Sequence, residues 1–161
     1  MFKQRNQQTQ RKPLTGIRLR SYAFALLTKR EYSKGELIEK LCLYAENPDE
    51  VRTLVEELSE NSYQSDQRVA EAMLSSQLRK GKGPNRIKLA LKTKQLDTEL
   101  IQDDLSDIDW AEQAYRLKVK KFGFEVEKEP KLKAKQIRFL QYRGFEMEAI
   151  MKAVNRMVDE E

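Results

Sequence analysis

Apolar residues recur at helical spacing along most of the 161-residue chain. The spacing is clearest, at i, i+3, i+4 and i+7, in Val51, Leu54, Val55 and Leu58. Residues so spaced lie on one face of a helix. The chain has only 6 glycines and 4 prolines, so few residues interrupt this pattern. The sequence therefore predicts an all-α fold.

Helix-starting residues divide the pattern into short segments. Ser33 and Glu36 have the spacing of a capping box, and Asn47 before Pro48 is a second helix start. The nine predicted helices cover residues 19–29, segments that begin after Ser33 and Asn47, residues 66–79, segments that begin at Pro84 and after Asp97 and Asp109, and residues 132–142 and 147–158. Isolated helices of this length are marginal in water, so we expect them to pack on one another.

The helices recur as units of three. At an offset of about 50 residues the matching positions are Leu37 and Ile87, Leu41 and Leu91, Val51 and Ile101, and near twice that offset Leu41 and Leu140, Val51 and Ile150. Repeats of this length are typical of solenoids, in which neighbouring units bury each other's apolar faces. We predict three tandem three-helix repeats in an elongated, curved array. The expected division is a flexible basic tail over 1–15 and repeats over 16–64, 65–108 and 109–161.

Composition argues against several kinds of chemistry. The chain has no histidine, which excludes His-based zinc sites and Ser-His or Cys-His nucleophile pairs. The single cysteine, Cys42, suits a reducing compartment, and no apolar run is long enough to span a membrane. The acidic run from Asp103 to Asp109 surrounds helix ends, where carboxylates more often cap than bind metal. We therefore expect a cytoplasmic protein that is not an enzyme and has no cofactor or metal.

Charged residues fall into blocks of alternating sign. Residues 67–94 hold 8 basic residues and 1 acidic residue, and residues 113–143 hold 10 basic and 3 acidic. Between them, residues 95–112 hold 7 acidic residues and no basic one. Such blocks create local fields far stronger than the net charge of +5 indicates. The two basic blocks point to a polyanionic partner or an acidic protein surface.

The most distinctive stretch runs from Arg79 to Lys88, and we call it the basic elbow. It reads RKGKGPNRIK, and its glycines and proline join the first and second helices of the middle repeat. The glycines would also let a backbone or a phosphate approach closely. No strand precedes the stretch and no Lys-Ser/Thr pair follows it, as a nucleotide-binding P-loop requires. We interpret the glycines as turn residues and the charges as a docking surface.

Four segments in order resemble the RecX family of bacterial regulators of the RecA recombinase. The basic elbow is similar to the family's R-x-G-x-G-P-x-R-I segment. The other segments are Arg30-Glu31-Tyr32-Ser33 with Glu36-Leu37 and Lys40-Leu41, then Asp109-Trp110 with Lys121-Phe122-Gly123, then Arg138-Phe139-Leu140 with Tyr142-Arg143-Gly144-Phe145. The resemblance runs from about Ile17 to the C-terminus. The chain departs from the family turn in residues 62–69, of which three positions match, and at Lys82, where an aromatic residue is common.

The resemblance implies a function. Members of the family bind RecA, lie along the groove of its filament on single-stranded DNA, and block filament growth, ATP hydrolysis, strand exchange and co-protease activity. It implies a modulator, mainly an inhibitor, of RecA in DNA repair and the SOS response, expected to act as a monomer with at most weak direct DNA contact. Two other classes stay open: a sequence-independent DNA-binding protein that acts without RecA, and a hydrolase or nuclease that uses lysines and carboxylates.

The candidate contact residues are cations of the two basic blocks. Any one of them alone is more simply a solvated surface charge, but their clustering favours binding. The full set is Arg68, Arg79, Lys80, Lys82, Arg86, Lys88, Lys92, Arg116, Lys118, Lys120, Lys121, Lys135 and Arg138. We expect Arg79, Lys82 and Arg86 to contact the filament.

Three aromatic residues, Tyr63, Trp110 and Tyr142, lie at predicted helix junctions. Each could stack on a nucleic-acid base. Their positions between helices favour a packing role instead.

Overall fold

The structure is a computed structural model that describes residues 12–158. That part of the chain contains nine α-helices, one short 3₁₀ helix and no strand. It forms two compact units, one ending at Asp66 and the other beginning at Gln67. The predicted all-α helical repeat array is confirmed.

The first unit contains helices α1, α2 and α3, which run over Gly16–Lys29, Lys34–Cys42 and Pro48–Glu60. Both predicted helix starts are confirmed. Ser33 accepts a hydrogen bond from the Glu36 N–H while Glu36 reaches back to the Ser33 N–H, and Asn47 caps α3.

Most helices of the second unit match their predicted positions. They are α4 Asp66–Arg79, with its first residue at the unit boundary, α5 Pro84–Thr93, the 3₁₀ helix Thr98–Ile101, α6 Gln102–Asp107, α7 Trp110–Phe122, α8 Pro130–Tyr142 and α9 Met147–Asn155. The predicted extension of the last helix to residue 158 is wrong, because α9 ends at Asn155. Met157 is 59% exposed rather than buried.

The repeat register predicted from apolar spacing is confirmed. The matched residues are all buried with no exposed surface: Leu37, Leu41, Val51, Ile87, Leu91, Ile101, Leu140 and Ile150. Burial of each such side chain contributes roughly 1.5–3 kcal/mol. The polar caps before the third helices of the first two repeats also correspond, since Asn47 and Asp97 each accept a hydrogen bond from the N–H two residues on.

The turn that departs from the family pattern is closed by side-chain hydrogen bonds. Gln64 is fully buried, and its amide donates to the Tyr32 carbonyl at 3.0 Å and to the Asp66 carboxylate at 2.9 Å. The same carboxylate accepts from the Lys34 N–H at 2.7 Å. Both hydrogen bonds come from Nε2 of Gln64, and its buried Oε1 has no hydrogen-bond partner within residues 12–158, so the cost of burying this polar side chain is only partly offset.

The basic elbow begins with a Schellman ending of α4. Gly81 has φ +74°, a left-handed conformation that glycine adopts without strain. Its N–H donates to the Leu78 carbonyl, and the Lys82 N–H donates to the Gln77 carbonyl. These two bonds satisfy carbonyls that the helix end would leave unpaired.

The elbow then packs, backbone against backbone, on the turn between α8 and α9. The Gly83 N–H donates to the Arg143 carbonyl at 2.7 Å, and the Asn85 N–H donates to the Gly144 carbonyl at 3.0 Å. A Cβ on Gly83 would lie 2.5 Å from the Gly144 carbonyl carbon. The backbone that approaches the elbow glycines is therefore the chain's own, and it joins the middle repeat to the third.

We expect Gly144→Ala to be strongly destabilising. Its new Cβ would lie 2.5 Å from Cγ and 2.6 Å from N of Arg86, a collision that rigid backbone cannot relieve cheaply. Gly123→Ala is the control, because Gly123 has a similar φ of +92° but no heavy atom within 4 Å of the added Cβ. Urea denaturation should show a loss at least about 2 kcal/mol larger for the first variant. Equal losses would show that backbone strain alone explains both.

Candidate partner-binding groove

A glycine brings the elbow against α7. At Gly81 an added Cβ would lie 2.8 Å from Cδ2 of Leu117, so the elbow lies directly against α7 and a larger residue would require the Leu117 side chain to move. Cations at the end of α4 thereby come next to cations on α7. Two basic blocks that are separated in sequence by seven acidic residues meet on one surface.

They form a groove of about 460 Å³, which we call the basic groove. Its cationic lining residues are Arg79, Lys80, Arg116, Lys120, Lys121 and Arg143. The remaining lining residues are Leu78, Gly81, Gln113, Leu117 and Phe139. Among the described residues that line it there is no carboxylate, so no acidic side chain in the lining repels an anion.

Most cations of the groove form no ion pair. Within residues 12–158, no carboxylate forms an ion pair with Arg79, Lys80, Lys120 or Lys121. In the first unit, by contrast, Arg20 pairs with Glu57 and Lys34 with Glu56, each at 2.9 Å. Paired surface charges are nearly neutral to an approaching partner, whereas the charges of the groove remain available.

Arg116 is only partly neutralised. Its Nε donates to Glu112 at 3.3 Å, but Arg156 donates to the other oxygen of the same carboxylate. The hydrogen bond from Arg156, with a smaller contribution from Arg116, lowers the pKa of Glu112 below its ordinary value. Because the Glu112 carboxylate interacts with both arginines, it offsets the positive charge of Arg116 only in part. Arg116 can therefore still attract an anionic ligand.

The Phe139 ring holds two of the cations in place. Lys121 Nζ lies 4.7 Å from the ring centroid and Arg143 Cζ lies 5.3 Å from it, distances typical of cation–π contacts. Arg143 Nη1 also donates to the Lys80 carbonyl at 3.0 Å. The groove is therefore organised before any partner arrives.

The ends of three helices supply a local negative field beneath these cations. Arg79 is the last residue of α4, Lys121 is in the last turn of α7, and Arg143 caps the C-terminus of α8. A helix C-terminus carries about half a negative charge. The three helix ends together supply roughly one and a half negative charges. They offset only part of the charge of the six cations, so most of the positive field remains.

The groove unites part of the predicted set. It contains five predicted residues, Arg79, Lys80, Arg116, Lys120 and Lys121. The cations that do not line it are Arg68, Lys82, Lys88, Lys92, Lys135 and Arg138, in addition to the two considered next. Sequence reasoning missed Arg143, which lies next to the turn glycine of a segment quoted for the family resemblance.

Lys118 does not belong to an accessible surface. It is buried with no exposed area, and its ammonium donates to the Glu125 carbonyl at 2.8 Å. Burial lowers the pKa of Lys118, and the carboxylates of Glu125 and Glu127 oppose the shift. The clustering of cations in the sequence placed it with the contact residues, but α7 turns this residue inward, so its assignment as a contact residue is corrected.

Arg86 makes two contacts with Tyr142 inside the chain. Its Nε donates to the Tyr142 carbonyl at 2.8 Å, and its guanidinium carbon lies 4.6 Å from the Tyr142 ring centroid. The side chain thereby fastens the elbow to the end of α8. The expectation that Arg86 also contacts the filament stays a prediction.

Aromatic packing is confirmed for Trp110. Its indole N–H donates to the Leu105 carbonyl at 3.1 Å, and its ring makes an edge contact with Phe145 at 6.3 Å. Tyr63 is 55% exposed and contacts Phe24 edge-on at 5.0 Å. Asp109 accepts from the Glu112 N–H at 3.1 Å, which confirms its predicted capping role.

The described helices include none that is long and apolar enough to cross a membrane. Across residues 12–158, no three histidine, cysteine, aspartate or glutamate side chains come together in a way that could hold a metal ion.

Comparisons with known proteins agree on one family. Residues 65–105 match the family description "RecX, second three-helix domain", and residues 107–154 match "RecX, third three-helix domain". A regulatory protein RecX from Acinetobacter baylyi is 70% identical over 153 residues, covering 95% of this chain and 96% of its own. One from Vibrio vulnificus is 33% identical, with coverage of 83% and 88%. The crystal structure of RecX from Lactobacillus salivarius aligns with a TM-score of 0.74 at 20% identity, covering 84% of this chain and 92% of its own.

Arg86→Ala should weaken the fold. It removes both the hydrogen bond to the Tyr142 carbonyl and the contact with the Tyr142 ring, so we expect the free energy of unfolding to fall by about 2 kcal/mol. Lys92→Ala, an exposed change on the same helix, should stay within about 0.5 kcal/mol of the parent. Chemical denaturation measures both, and indistinguishable variants would contradict the structural role of Arg86.

Lys118 should make stability depend on pH in the alkaline range. Because burial lowers its pKa below the ordinary 10.5, the unfolded chain binds more protons than the folded one between these two values. The free energy of unfolding therefore rises with pH in that window. Lys118→Met keeps most of the volume but does not titrate. We expect the free energy of unfolding of the parent to rise relative to that of Lys118→Met as the pH increases toward 10.5. Parallel dependences of the two free energies on pH would contradict this prediction.

Proposed function

The chain belongs to the RecX family, and from that premise we propose that it regulates the RecA recombinase. It binds the RecA filament on single-stranded DNA and limits filament growth and the linked ATP hydrolysis, strand exchange and co-protease activity. Its role is regulatory rather than catalytic. The proposal implies that the protein acts in the cytoplasm, as a monomer, in DNA repair and the SOS response.

The basic groove is the observation that best supports this proposal. A RecA filament on DNA includes a strand that carries one negative charge at every phosphate. A groove with six cations and no lining carboxylate matches such a target in the sign of its charge. Charge complementarity of this kind raises association rates and selects partners even where it adds little affinity.

The proposed contact residues follow from accessibility. Arg79, Lys80, Lys120 and Lys121 are exposed, and they project from elements that Gly81 brings together. Lys82 is half-buried and lies outside the groove, and Arg86 holds the elbow. A test that reverses Arg79, Lys82 and Arg86 together would therefore confuse loss of binding with loss of structure.

We expect the double variant Arg79→Glu, Lys120→Glu to inhibit the DNA-dependent ATPase of RecA at least about tenfold less well than the parent protein. The physical reason is that reversal replaces two attractive charges by two repulsive ones at the centre of the groove. The measurement is the rate of ATP hydrolysis by RecA on single-stranded DNA against the concentration of each variant.

The control is Lys128→Glu with Lys131→Glu, which changes the net charge equally at exposed positions outside the groove. It should inhibit like the parent, and circular dichroism should show unchanged helix content in both variants. Full inhibition by the groove variant would refute the assignment of the groove. Absence of any inhibition by the parent protein over a wide concentration range would refute regulation of RecA and favour a protein that acts on DNA alone.

A further inference from the structure

The first unit has a groove of its own, between α1 and α3. Its volume is about 450 Å³. Leu19 and Leu54 of the hydrophobic core line it, and Ile17 beside them is 83% exposed. Apolar surface that stays in contact with water is unfavourable. The groove therefore suits an occupant that brings apolar surface of its own.

Glutamates of α3 follow one side of this groove and continue beyond it. Glu50 and Glu57 line the groove, and a neighbouring surface along α3 adds Glu56 and Glu60. Thr53 and Glu57 line both, so the two surfaces are continuous. We call them together the acidic groove, defined by the three apolar residues above and these four glutamates. An occupant that carries cations at intervals would match it in charge.

The acidic groove keeps a negative charge after its internal ion pairs are formed. Two of its four glutamates have the arginine and lysine partners described above for the first unit. Within residues 12–158, no cation forms an ion pair with Glu50 or Glu60. Glu50 accepts from the Gly16 N–H at 2.6 Å, an uncharged donor. Arg52, which also lines the surface, is paired with Asp49 at 3.0 Å.

The chain itself supplies a segment with the complementary chemistry. Residues 1–11, which we call the N-terminal segment, read MFKQRNQQTQR and lie outside the described residues. The segment has three cations, Lys3, Arg5 and Arg11, and no acidic residue. Met1 and Phe2, at its far end, are its two apolar residues. An apolar end followed by spaced cations is what a groove with apolar lining and a glutamate rim can accept.

The place where the described chain begins puts this segment within reach of the groove. The Leu14 N–H donates to the Tyr44 carbonyl at 2.7 Å, which fixes the chain two residues before Gly16, a lining residue of the groove. An extended chain spans about 3.3 Å per residue, so residues 1–11 reach roughly 36 Å. Helix α3 has 13 residues and is roughly 20 Å long. The segment can therefore turn back and follow the whole of α3.

We propose that the N-terminal segment docks in the acidic groove of its own chain, with its cations on the glutamates of α3 and Phe2 against Ile17. Covalent attachment favours this occupant over a separate basic peptide, because a segment on a short linker has an effective concentration in the millimolar range. Weak contacts are then sufficient for docking. The contact does not involve RecA and goes beyond the proposed function.

The test places a nitroxide spin label on the full chain, by Gln4→Cys with Cys42→Ser, and measures the broadening of backbone amide signals by NMR. At about 10 mM salt, residues 53–60 should lose at least about half of their signal intensity, because the docked form is the major one. At about 1 M salt, where the Debye length is about 3 Å, most of that intensity should return. No loss at low salt, with helix content unchanged by circular dichroism, would overturn the docking.

Neutral variants test whether the glutamates of the groove hold the segment. Glu56→Gln with Glu60→Gln removes two of its charges and should restore at least about half of the lost intensity at low salt. Glu31→Gln with Glu39→Gln is the matched control, since both positions are exposed in the same unit and lie outside the groove. It should leave the broadening unchanged. Equal effects of the two pairs would overturn the assignment of the site.

Two further measurements separate the apolar contact and the source of the segment. Phe2→Ser should reduce the broadening of the Ile17 amide, and an unchanged Ile17 signal would overturn the role of Phe2. In a mixture of spin-labelled chains with isotope-labelled chains that carry no spin label, residues 53–60 should stay sharp. Broadening in that mixture would place the segment on a second copy and overturn docking within one chain. Because no RecA is present, these outcomes are independent of the ATPase result.

Discussion

The close approach of two backbones at Gly83 and Gly144 is the constraint on which the second unit depends. Neither position has room for a Cβ, and the hydrogen bonds between the two turns can form only at that distance. The contact fixes where the end of α4 lies relative to α8, and at Gly81 the end of α4 lies against the Leu117 side chain of α7. The groove is a consequence of these glycines, although neither Gly83 nor Gly144 lines it. Because glycine permits two backbones to approach closely, these glycines bring together charged residues that are far apart in sequence.

Holding six cations together requires compensation that does not neutralise them. The ends of three helices provide partial negative charge beneath the groove, the Phe139 ring contacts two cations through its face, and the Lys80 carbonyl accepts from Arg143. Each of these groups is a dipole or a quadrupole rather than a full opposite charge. Repulsion is therefore lowered while the long-range positive field is kept. A set of carboxylates would stabilise the cations more strongly and would remove their affinity for an anion.

The fold was largely predictable, because core positions obey a simple rule of spacing. Every matched residue of the repeat register is buried, and the capping box at Ser33 forms as expected. The site was predictable only in part. The clustering of charges cannot show that Lys118 turns inward to a loop carbonyl or that Arg86 contacts Tyr142. The first contact depends on how the loop after α7 folds back, and the second joins residues 56 positions apart. Arg143 was missed since its role follows from a contact across 63 residues with Lys80.

Most residues that make the elbow recognisable serve packing inside the chain, and Arg79 is the member of the quoted segment that also lines the groove as a cation. Gly81, Gly83 and Arg86 belong to the quoted family segment, and each is required by packing inside the chain. Lys82 illustrates the same point: its N–H closes the Schellman motif, at a position where an apolar side chain usually packs. The stem of a lysine can cover that surface while its ammonium reaches water, which accounts for the departure from an aromatic residue. The resemblance in this stretch therefore reflects in large part how the repeats are joined, and the cations that line the groove come from the end of α4 and also from elsewhere, such as Lys120 on α7.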